Sequence, residues 1–275
     1  MKKESCSSVD VEKLKPIESV KELQGVLLGI AKVFHEICVE ENIPYYMVGG
    51  TMLGSIRHKG FIPWDDDMDF AVSRKDFERL LKILPERLPE PYRMLTRKET
   101  ASVTGFLKIS DERTLHVYRW TSGQECDYGV DIDIFQLDPA TTRTRGYIKD
   151  FLLMLRGYRV LSAKERPFLK KVLAYIIKGA LFFVTRDMFY NFIERHLVET
   201  KGDLIANTYG GKAKAETLPK EYMGEPKLYD FEDTKFYGVA MPEEYLTSLY
   251  GDWKTLPPED KRHTHIVSMY WRDNE

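Results

Sequence analysis

The chain has 275 residues, of which 43% are hydrophobic and 12% aromatic, enough apolar material for a substantial core. Acidic and basic residues nearly balance to a formal net charge of −2. The chain therefore lacks the overall basic excess that is typical of nucleic-acid-binding proteins. Three cysteines without a CxxC pair argue against a disulfide framework and a zinc site, and they fit a reducing cytoplasm.

The N-terminal part of the chain predicts a tail, a helix and a short strand. Residues 1–16 are polar, lack the apolar core of a signal peptide and are predicted to form a flexible tail. In residues 17–41 apolar residues recur at steps of three and four, which predicts an amphipathic helix that Pro44 ends. Residues 45–48 are rich in β-forming residues and predict a strand.

A glycine pair follows this strand. Gly49 and Gly50 predict a tight turn, after which a helix begins near Thr51. Backbone amides that enter a helix in this way form an anion site, so these three residues are candidates for binding a phosphate group. Further positive charge can come from three basic residues: Arg57, His58 and Lys59.

A cluster of aspartates leads into a strand predicted over residues 67–72. Because side chains alternate along an extended chain, Asp65, Asp67 and Asp69 are expected on one face, with about 6.6 Å between neighbours. Alternation turns Asp66 to the other face. Carboxylates with this spacing can converge on a hard cation such as Mg²⁺, with Mn²⁺ as the alternative ion. Such a cation would relieve the repulsion among the crowded carboxylates.

A second carboxylate pair lies in a strand predicted over residues 129–135. Asp131 and Asp133 are expected on one face of this strand, and its apolar residues on the other. A carboxylate from this strand can complete the metal site or act as a general base. Lys108, in a strand predicted over residues 105–109, is a candidate for contacting a leaving phosphate.

The other patterns complete a mixed α/β fold. Ser73 is predicted to cap a helix over residues 74–84, which Pro85 stops. Two further strands are predicted, at residues 92–95 and 115–120. The alternation of strands and helices predicts a mixed sheet with helices packed on it.

The C-terminal part is predicted to be helical over residues 145–196 and loop-rich from residue 200. No run of 18 uncharged apolar residues is present, so no transmembrane helix is expected. Residues 168–184 are open to two interpretations. They form either a buried or packing helix, or an amphipathic segment that contacts a membrane surface through apolar residues flanked by lysines.

The segment VGGTMLGSIRHKGFIPWDDDMDFAV, residues 48–72, resembles the signature of the LicD-type phosphotransferases, relatives of the fukutin family in the nucleotidyltransferase-fold superfamily. Five other segments resemble the family pattern in order: IPYY at 43–46, SRKDFERL at 73–80, FLKISDERT at 106–114, VDIDIF at 130–135 and YGDWKTLPPEDKRHTH at 250–265. The resemblance implies a nucleotidyltransferase-like catalytic core over residues 17–140. Residues 141–275 would form a helical and loop-rich region that completes the substrate site.

The resemblance also implies roles for individual residues. Asp65, Asp67 and Asp69 fall on the family's metal-binding element, and Asp133 on its further strand carboxylate, with Asp131 as the alternative. The glycine turn falls on Gly49, Gly50 and Thr51. The implied catalytic set is Asp67, Asp69, Asp133 and Asp131, and two histidines of the last segment, His263 and His265, are candidates for contacting substrate.

The implied activity is Mg²⁺-dependent transfer of phosphocholine from CDP-choline to a sugar hydroxyl of a bacterial surface glycan, such as teichoic acid, lipopolysaccharide or capsule. CMP is released, and the protein is expected in the cytoplasm or at the inner face of the membrane, which it can contact peripherally. A choline group would need an aromatic cage. Available aromatic residues are Trp64, Tyr118, Trp120, Tyr128 and Trp253.

Three alternatives stay open at this point. The transferred group can be another CDP-linked alcohol phosphate, such as ribitol, glycerol or ethanolamine phosphate. The same metal site can serve a nucleotidyltransferase that modifies a small molecule and releases pyrophosphate. A retained fold without catalysis would instead give a metal-binding or glycan-binding protein.

Overall fold

A computed structural model of the protein describes residues 13–97, 105–116, 128–160, 168–210, 213–262 and 269–272. Its helices are α1 Val20–Glu40, α2 Gly49–His58, α3 Arg74–Arg87, α4 Thr144–Val160, α5 Phe168–Ala180, α6 Arg186–His196, α7 Ala213–Glu216, α8 Lys220–Met223 and α9 Pro242–Tyr250. Its strands are β1 Lys15–Pro16, β2 Tyr45–Met47, β3 Asp69–Ser73, β4 Tyr92–Leu95, β5 Leu107–Asp111, β6 Thr114–His116, β7 Asp131–Ala140, β8 Leu204–Asn207, β9 Thr217–Pro219, β10 Lys227–Phe231, β11 Thr234–Gly238 and β12 Met269–Trp271.

Nine of these strands form one mixed sheet in the order β10-β11-β2-β3-β7-β5-β4, and β8 and β9 extend it beside the second half of β7. Strand β3 runs parallel to β7 and antiparallel to β2. The mixed α/β fold predicted from the sequence is therefore confirmed. A second sheet of three strands has the order β1-β12-β6.

Helix α1 forms as predicted, although it begins three residues later. Ser19 caps it by accepting a hydrogen bond from the Glu22 N–H at 3.1 Å. The apolar face packs on the sheet, where the ring of Phe34 lies 5.1 Å from Tyr45 and 5.2 Å from Phe70. Each of these fully buried rings contributes about 1.5–3 kcal/mol to stability, so α1 fixes β2 and β3 in place.

The glycine pair belongs to helix α2 and does not precede it. Val48 is the extended N-cap residue, and Gly49 is already the first helical residue, with a φ of +55°. Glycine adopts this left-handed conformation without steric cost. The chain can therefore turn from β2 into α2 at once, and the prediction of a separate turn before Thr51 was wrong.

Strand β3 begins at Asp69, two residues later than predicted. The residues in front of it form an irregular stretch, in which the Asp65 N–H donates to the Ile62 carbonyl at 2.9 Å. The side chain of Gln24 in α1 secures this stretch by donating to the carbonyl oxygens of both residues. Asp65 and Asp67 therefore lie on a loop, and strand alternation does not determine their directions.

Helix α3 continues through Pro85 to Arg87, so the prediction that Pro85 stops it was wrong. The proline occupies the last turn, and the Leu88 N–H beyond it still reaches the Leu84 carbonyl at 3.0 Å. The predicted cap is confirmed, because the Ser73 hydroxyl accepts from the Asp76 N–H at 3.2 Å.

The C-terminal part contains more regular structure than predicted. Helices α4, α5 and α6 lie in the region predicted to be helical, but the described residues between 200 and 272 form five strands and three helices instead of mainly loops. Four of these strands join the nine-stranded sheet, so residues from both predicted regions build it. Within the described ranges no helix combines the length and the apolar character needed to cross a bilayer.

Helix α5, within residues 168–184, packs against α4 as a packing helix would, but it is not buried. Among the side chains described in α5, only Ile177 is buried. The others face solvent or are half-buried, as expected for a helix with an apolar face on the surface of the molecule.

Candidate active site

A cavity of about 320 Å³ opens beside the first turn of α2, a volume within the range of small-molecule sites. Strands β7, β8 and β9 contribute mainly apolar side chains to it. Most of the other lining residues come from the start of α2, the loop before β3, the start of β3 and helices α7, α8 and α9. The lining residues are Val48, Gly49, Gly50, Asp65, Asp67, Asp69, Phe135, Leu137, Ile205, Asn207, Gly210, Ala215, Glu216, Leu218, Met223, Tyr245, Leu249 and Tyr250. Within the described part of the chain, no lysine, arginine or histidine lines it.

Three of the predicted metal ligands line this cavity together. Asp65, Asp67 and Asp69 reach it although only Asp69 lies on a strand. Asp69 is held in place by its backbone, because its N–H donates to the Thr51 hydroxyl at 2.8 Å. The buried Thr51 hydroxyl thus joins α2 to β3, and its role in binding phosphate stays a prediction.

The two glycines make room for these carboxylates. A Cβ atom on Gly49 would lie 3.0 Å from Asp69 Oδ2, and one on Gly50 would lie 2.9 Å from Asp65 Oδ2. Any larger residue would push the carboxylates away from the first turn of α2. The N–H groups of a first helical turn have no partner within the helix and carry partial positive charge. The glycine pair therefore brings carboxylates and helix N-terminus into one small space.

The carboxylates oppose one another's ionisation. Burial, followed by repulsion from Asp67 and Asp66, raises the pKa of Asp65 to about 8. Burial also raises the pKa of Asp69 well above its ordinary value, and the charges of Asp67 and Asp133 act in the same direction. A bound cation would stabilise all of these groups in their charged form.

Asp131 and Asp133 lie on one face of β7, as predicted, with Ile132 and Ile134 buried on the other. Asp133 is paired in register with Asp69 of β3 on one side and with Lys108 of β5 on the other. This pairing brings the second carboxylate strand next to the cavity.

Lys108 offsets part of the negative charge of Asp131 and Asp133. Its buried ammonium Nζ lies 2.5 Å from Asp131 Oδ1 and 2.6 Å from Asp133 Oδ1. Burial raises the pKa of Asp133 to about 7, although the charge of Lys108 opposes the shift. Asp131 Oδ2 is buried without a hydrogen-bond partner among the described residues. The role of Lys108 as a phosphate ligand stays a prediction.

Three further predicted substrate ligands, Arg57, His58 and Lys59, do not line the cavity. Arg57 donates to the Trp253 carbonyl at 2.8 Å and to His58 Nε2 at 2.9 Å, and its charge reaches Asp65. Lys59 ends α2 in a left-handed conformation and is exposed. The structure describes neither of the two predicted histidines, His263 and His265, nor the aromatic candidates Tyr118 and Trp120.

The other aromatic residues suggested for a choline cage do not line the cavity. Trp64 lies under the Arg262 guanidinium, whose Cζ atom is 4.9 Å from the ring centre. Trp253 lies under Lys254, with its ring centre 5.1 Å from Nζ, and Tyr128 is buried beside His116. The aromatic walls of the cavity come instead from three residues that the sequence analysis did not select: Phe135, Tyr245 and Tyr250.

Two polar residues of the cavity were also missed. Glu216 lies in the short helix α7, and its charge raises the pKa of Asp69 and of both cavity tyrosines. Asn207 ends β8, and its Oδ1 is buried with no hydrogen-bond partner in the described ranges. Neither Glu216 nor Asn207 belongs to a recognisable motif. Among the missed aromatic residues, Tyr250 does begin a segment that resembles the family pattern, so the sequence carried a signal for it.

The residues of the cavity suit a hard divalent cation by chemistry and by space. Oxygen ligands are what Mg²⁺ prefers, and the glycine pair leaves room for two of the carboxylates. In the described ranges, however, no three carboxylate, imidazole or thiolate side chains are grouped closely enough to hold an ion by themselves. Mg²⁺ commonly binds one or two carboxylates together with substrate phosphates. The arrangement therefore fits an ion that arrives with a phosphate-containing substrate.

Comparison with known proteins defines the class of this chain. Residues 42–150 match the family model described as LicD/FKTN/FKRP, nucleotidyltransferase domain. The match includes the glycine pair, the aspartates of the cavity and the group formed by Lys108, Asp131 and Asp133. These residues therefore lie in a nucleotidyltransferase domain.

The similarity to one characterised protein spans nearly the whole chain. The lipopolysaccharide cholinephosphotransferase LicD of Haemophilus influenzae is 31% identical over 268 residues, which are 92% of this chain and 98% of that protein. The chain therefore belongs to the LicD family and is a phosphotransferase, as the sequence resemblance predicted.

Shorter similarities connect the chain to two uncharacterized proteins. One, from Rickettsia prowazekii, is 42% identical over 60 residues, which are 22% of this chain and 23% of that protein. The other, from Rickettsia typhi, is 38% identical over 72 residues, which are 26% of this chain and 23% of that protein.

Proposed function

We propose that this enzyme transfers phosphocholine from CDP-choline to a sugar hydroxyl of a bacterial cell-surface glycan and releases CMP. The observation that carries the proposal is the cavity in which Asp65, Asp67 and Asp69 meet the first turn of α2. The full-length similarity to a lipopolysaccharide cholinephosphotransferase supports choline as the alcohol and lipopolysaccharide as the class of acceptor.

Mg²⁺, or Mn²⁺ in its place, is the proposed cofactor. Asp65, Asp67 and Asp69 would hold it together with phosphate oxygens of the donor. The sequence also predicts Asp133 as a ligand, but we assign its carboxylate to proton transfer instead. When bound, the ion neutralises charge on the phosphate oxygens and so lowers the barrier to nucleophilic attack.

The chain's own groups bind and orient the donor. The N–H groups of the first turn of α2 after Gly49, whose own N–H donates to Tyr245, would hold phosphate oxygens, and the glycine pair would let the phosphate approach the backbone closely. The acceptor hydroxyl attacks the choline-bearing phosphorus in line. A new P–O bond to the sugar forms while the P–O bond to CMP breaks, and the leaving CMP takes the electron pair.

Asp133 is the proposed general base. With a pKa near 7, its carboxylate can accept the proton of the sugar hydroxyl at neutral pH. It is more exposed than Asp131, with 21% of the side chain accessible compared with 7%, and it lies next to Asp69. Asp131 is then a positioning residue. It shares the Lys108 ammonium with Asp133, and this ammonium offsets part of the negative charge of the two carboxylates.

The apolar part of the cavity is the proposed choline subsite. A quaternary ammonium has no N–H to donate. It binds aromatic faces through cation–π interactions and is attracted to a carboxylate by charge alone. Phe135 and Tyr250 offer the aromatic surfaces and Glu216 the charge, while no basic side chain of the described part lines the cavity to repel a cation. We place the reaction in the cytoplasm, at the inner face of the membrane, where a lipid-linked acceptor is accessible.

Matched variants of two neighbouring aspartates test this function. The purified enzyme with CDP-choline, Mg²⁺ and a lipopolysaccharide acceptor is expected to release CMP and to label the acceptor with choline. Asp67→Asn should lower kcat/KM by about 100-fold or more, because its carboxylate lines the cavity. Asp66→Asn is the control outside the cavity and should keep most of the activity.

Two results would contradict the proposal. Release of pyrophosphate from a nucleoside triphosphate, without CMP from CDP-choline, would favour the nucleotidyltransferase alternative. Full activity of Asp67→Asn would show that this carboxylate of the cavity is not needed for the reaction. Assays with CDP-ribitol, CDP-glycerol and CDP-ethanolamine identify the alcohol, since turnover of one of these but not of CDP-choline would replace choline as the substrate.

A further inference from the structure

Helix α4 turns an apolar face to solvent. Tyr147, Ile148, Phe151 and Met154 follow one another at helical spacing, and each is 46–55% exposed. The spacing of one, three and three residues puts them on one side of the helix. Side chains of this kind usually pack inward, so a whole exposed row of them indicates a contact surface.

Helix α5 and the turn after it repeat the pattern. Tyr175 and Ile176 are 66% and 61% exposed, and Val172 and Leu173 lie one turn earlier on the same side. In the turn that follows, Phe182 and Phe183 are 68% and 78% exposed, with ring centres 4.8 Å apart. Helices α4 and α5 pack against each other, so these apolar side chains remain exposed after that contact is made.

The exposed apolar residues are concentrated in this part of the molecule. Of the sixteen large hydrophobic residues that are exposed in the described ranges, twelve lie between residues 147 and 192. Two of these, Met188 and Phe192, stand one turn apart on α6. We call the other ten residues, which lie on the packed helices α4 and α5 and in the turn after α5, the helical surface.

The helical surface lies in the most basic part of the chain. Residues 143–196 contain twelve lysines and arginines against four aspartates and glutamates, a formal charge of +8 in a chain whose total is −2. One of these lysines, Lys149, is buried and pairs with Asp150, so this pair leaves the sum unchanged. Apolar side chains in a part of the sequence with this excess of positive charge complement the surface of an anionic membrane.

We propose that the helical surface binds the surface of an anionic phospholipid bilayer. Its apolar side chains would enter the boundary between headgroups and acyl chains, and the basic residues would contact lipid phosphates. No helix of the described ranges can cross the bilayer, so the helices lie along the interface. A second copy of the chain is disfavoured as the occupant, because two such surfaces would bring together charges of the same sign.

Binding of the full-length protein to sedimenting vesicles tests the proposal. The protein should bind vesicles that contain 30% phosphatidylglycerol, bind pure phosphatidylcholine vesicles at least tenfold more weakly, and lose affinity as salt is raised. The double variant Phe182→Ser/Phe183→Ser should weaken binding by about tenfold or more. Its matched control is Leu228→Ser/Leu256→Ser, at exposed apolar sites elsewhere, which should bind as the wild type does.

The charge contribution has its own pair of variants. Lys178→Glu, on α5, should weaken binding to the anionic vesicles by about fivefold or more. Lys261→Glu, at an exposed site outside the helical surface, should leave binding unchanged. If circular dichroism shows that the phenylalanine variant is unfolded, Tyr175→Ser/Ile176→Ser replaces it, because both residues are more than half exposed.

Three outcomes would overturn the proposal: no binding of the wild type to anionic vesicles at low salt, equal binding by the phenylalanine variant and the wild type, or a dimer in sedimentation that the phenylalanine variant abolishes. The third would assign the helical surface to self-association. The proposal does not depend on the proposed function, because binding is measured without turnover. With a water-soluble acceptor sugar, all these variants should release CMP at the same rate as the wild type. The membrane proposal and the proposed function can therefore be contradicted independently.

Discussion

At the scale of single residues, the glycine pair sets the position of the carboxylates. Gly49 has both a positive φ and a close carboxylate, so a substitution there would mix backbone strain with crowding. Gly50 has the close carboxylate, 2.9 Å from where a Cβ would stand, but no positive φ. Gly50 is therefore the position at which crowding can be measured by itself.

We expect Gly50→Ala to lower kcat/KM by about 100-fold, because a displacement of about 1 Å in a reacting group has an effect of this size. Gly25→Ala on the exposed side of α1 is the matched control, since nothing lies within 4 Å of its added Cβ. The control should keep full activity and gain roughly 0.5–1 kcal/mol in stability. Equal activity of the two variants would show that the Gly50–Asp65 contact is irrelevant to turnover.

At the scale of elements, α9 supports the start of α2. The hydroxyl of Tyr245, which is 4% exposed, accepts a hydrogen bond from the Gly49 N–H at 2.9 Å. This contact joins residues 196 positions apart and anchors the first residue of the helix. Loss of the hydroxyl would leave a buried N–H without a partner.

Tyr245→Phe should therefore lower the free energy of unfolding by about 1–3 kcal/mol and also lower kcat/KM for the donor. Tyr229→Phe is the matched control, because its hydroxyl donates to the Val239 carbonyl at 2.7 Å away from the cavity. The control should lose stability but keep the kcat/KM of the folded enzyme. Urea unfolding and steady-state kinetics on both variants separate the two effects, and identical kinetics would contradict a role for Tyr245 in the site.

The same scale explains which parts of the site could be predicted. Local patterns were sufficient for α1 and for the shared face of Asp131 and Asp133, because each depends on neighbours in sequence. They selected the three aspartates that line the cavity, but not the loop that carries Asp65 and Asp67. The start of β3 was missed because Gln24, from a distant helix, holds the preceding loop. Glu216 carried no signal because only tertiary packing brings α7 to Asp69.

At the scale of the whole molecule, the buried carboxylates couple stability to pH. The pKa values of Asp65 and Asp133 rise to about 8 and about 7 from an ordinary value of 3.8, so both bind protons more tightly in the folded state. Between about pH 4 and 8 the folded protein therefore holds more protons than the unfolded chain. The contribution of these groups to stability must fall as the pH rises through this window.

Asp65→Asn should consequently raise the Tm of the metal-free protein at pH 8 and have a smaller effect at pH 5. A change of 1 kcal/mol corresponds to about 2–4 °C in a chain of this size. Added Mg²⁺ should raise the Tm of the wild type more at pH 8 than at pH 5, because it binds ionised carboxylates. Calorimetry at constant ionic strength measures both, and a larger effect of the substitution at pH 5 would contradict the assignment.

The sheet also has a consequence for biosynthesis. The end of β7, Leu137–Ala140, pairs with β8, whose residues follow their partners by 64 to 70 positions. At roughly 5–20 residues per second the ribosome leaves this backbone edge open for roughly 3–14 s, during which it can pair with another nascent chain. The late synthesis of β8 therefore leaves this edge of the sheet uncovered until residues 204–207 have been added to the chain.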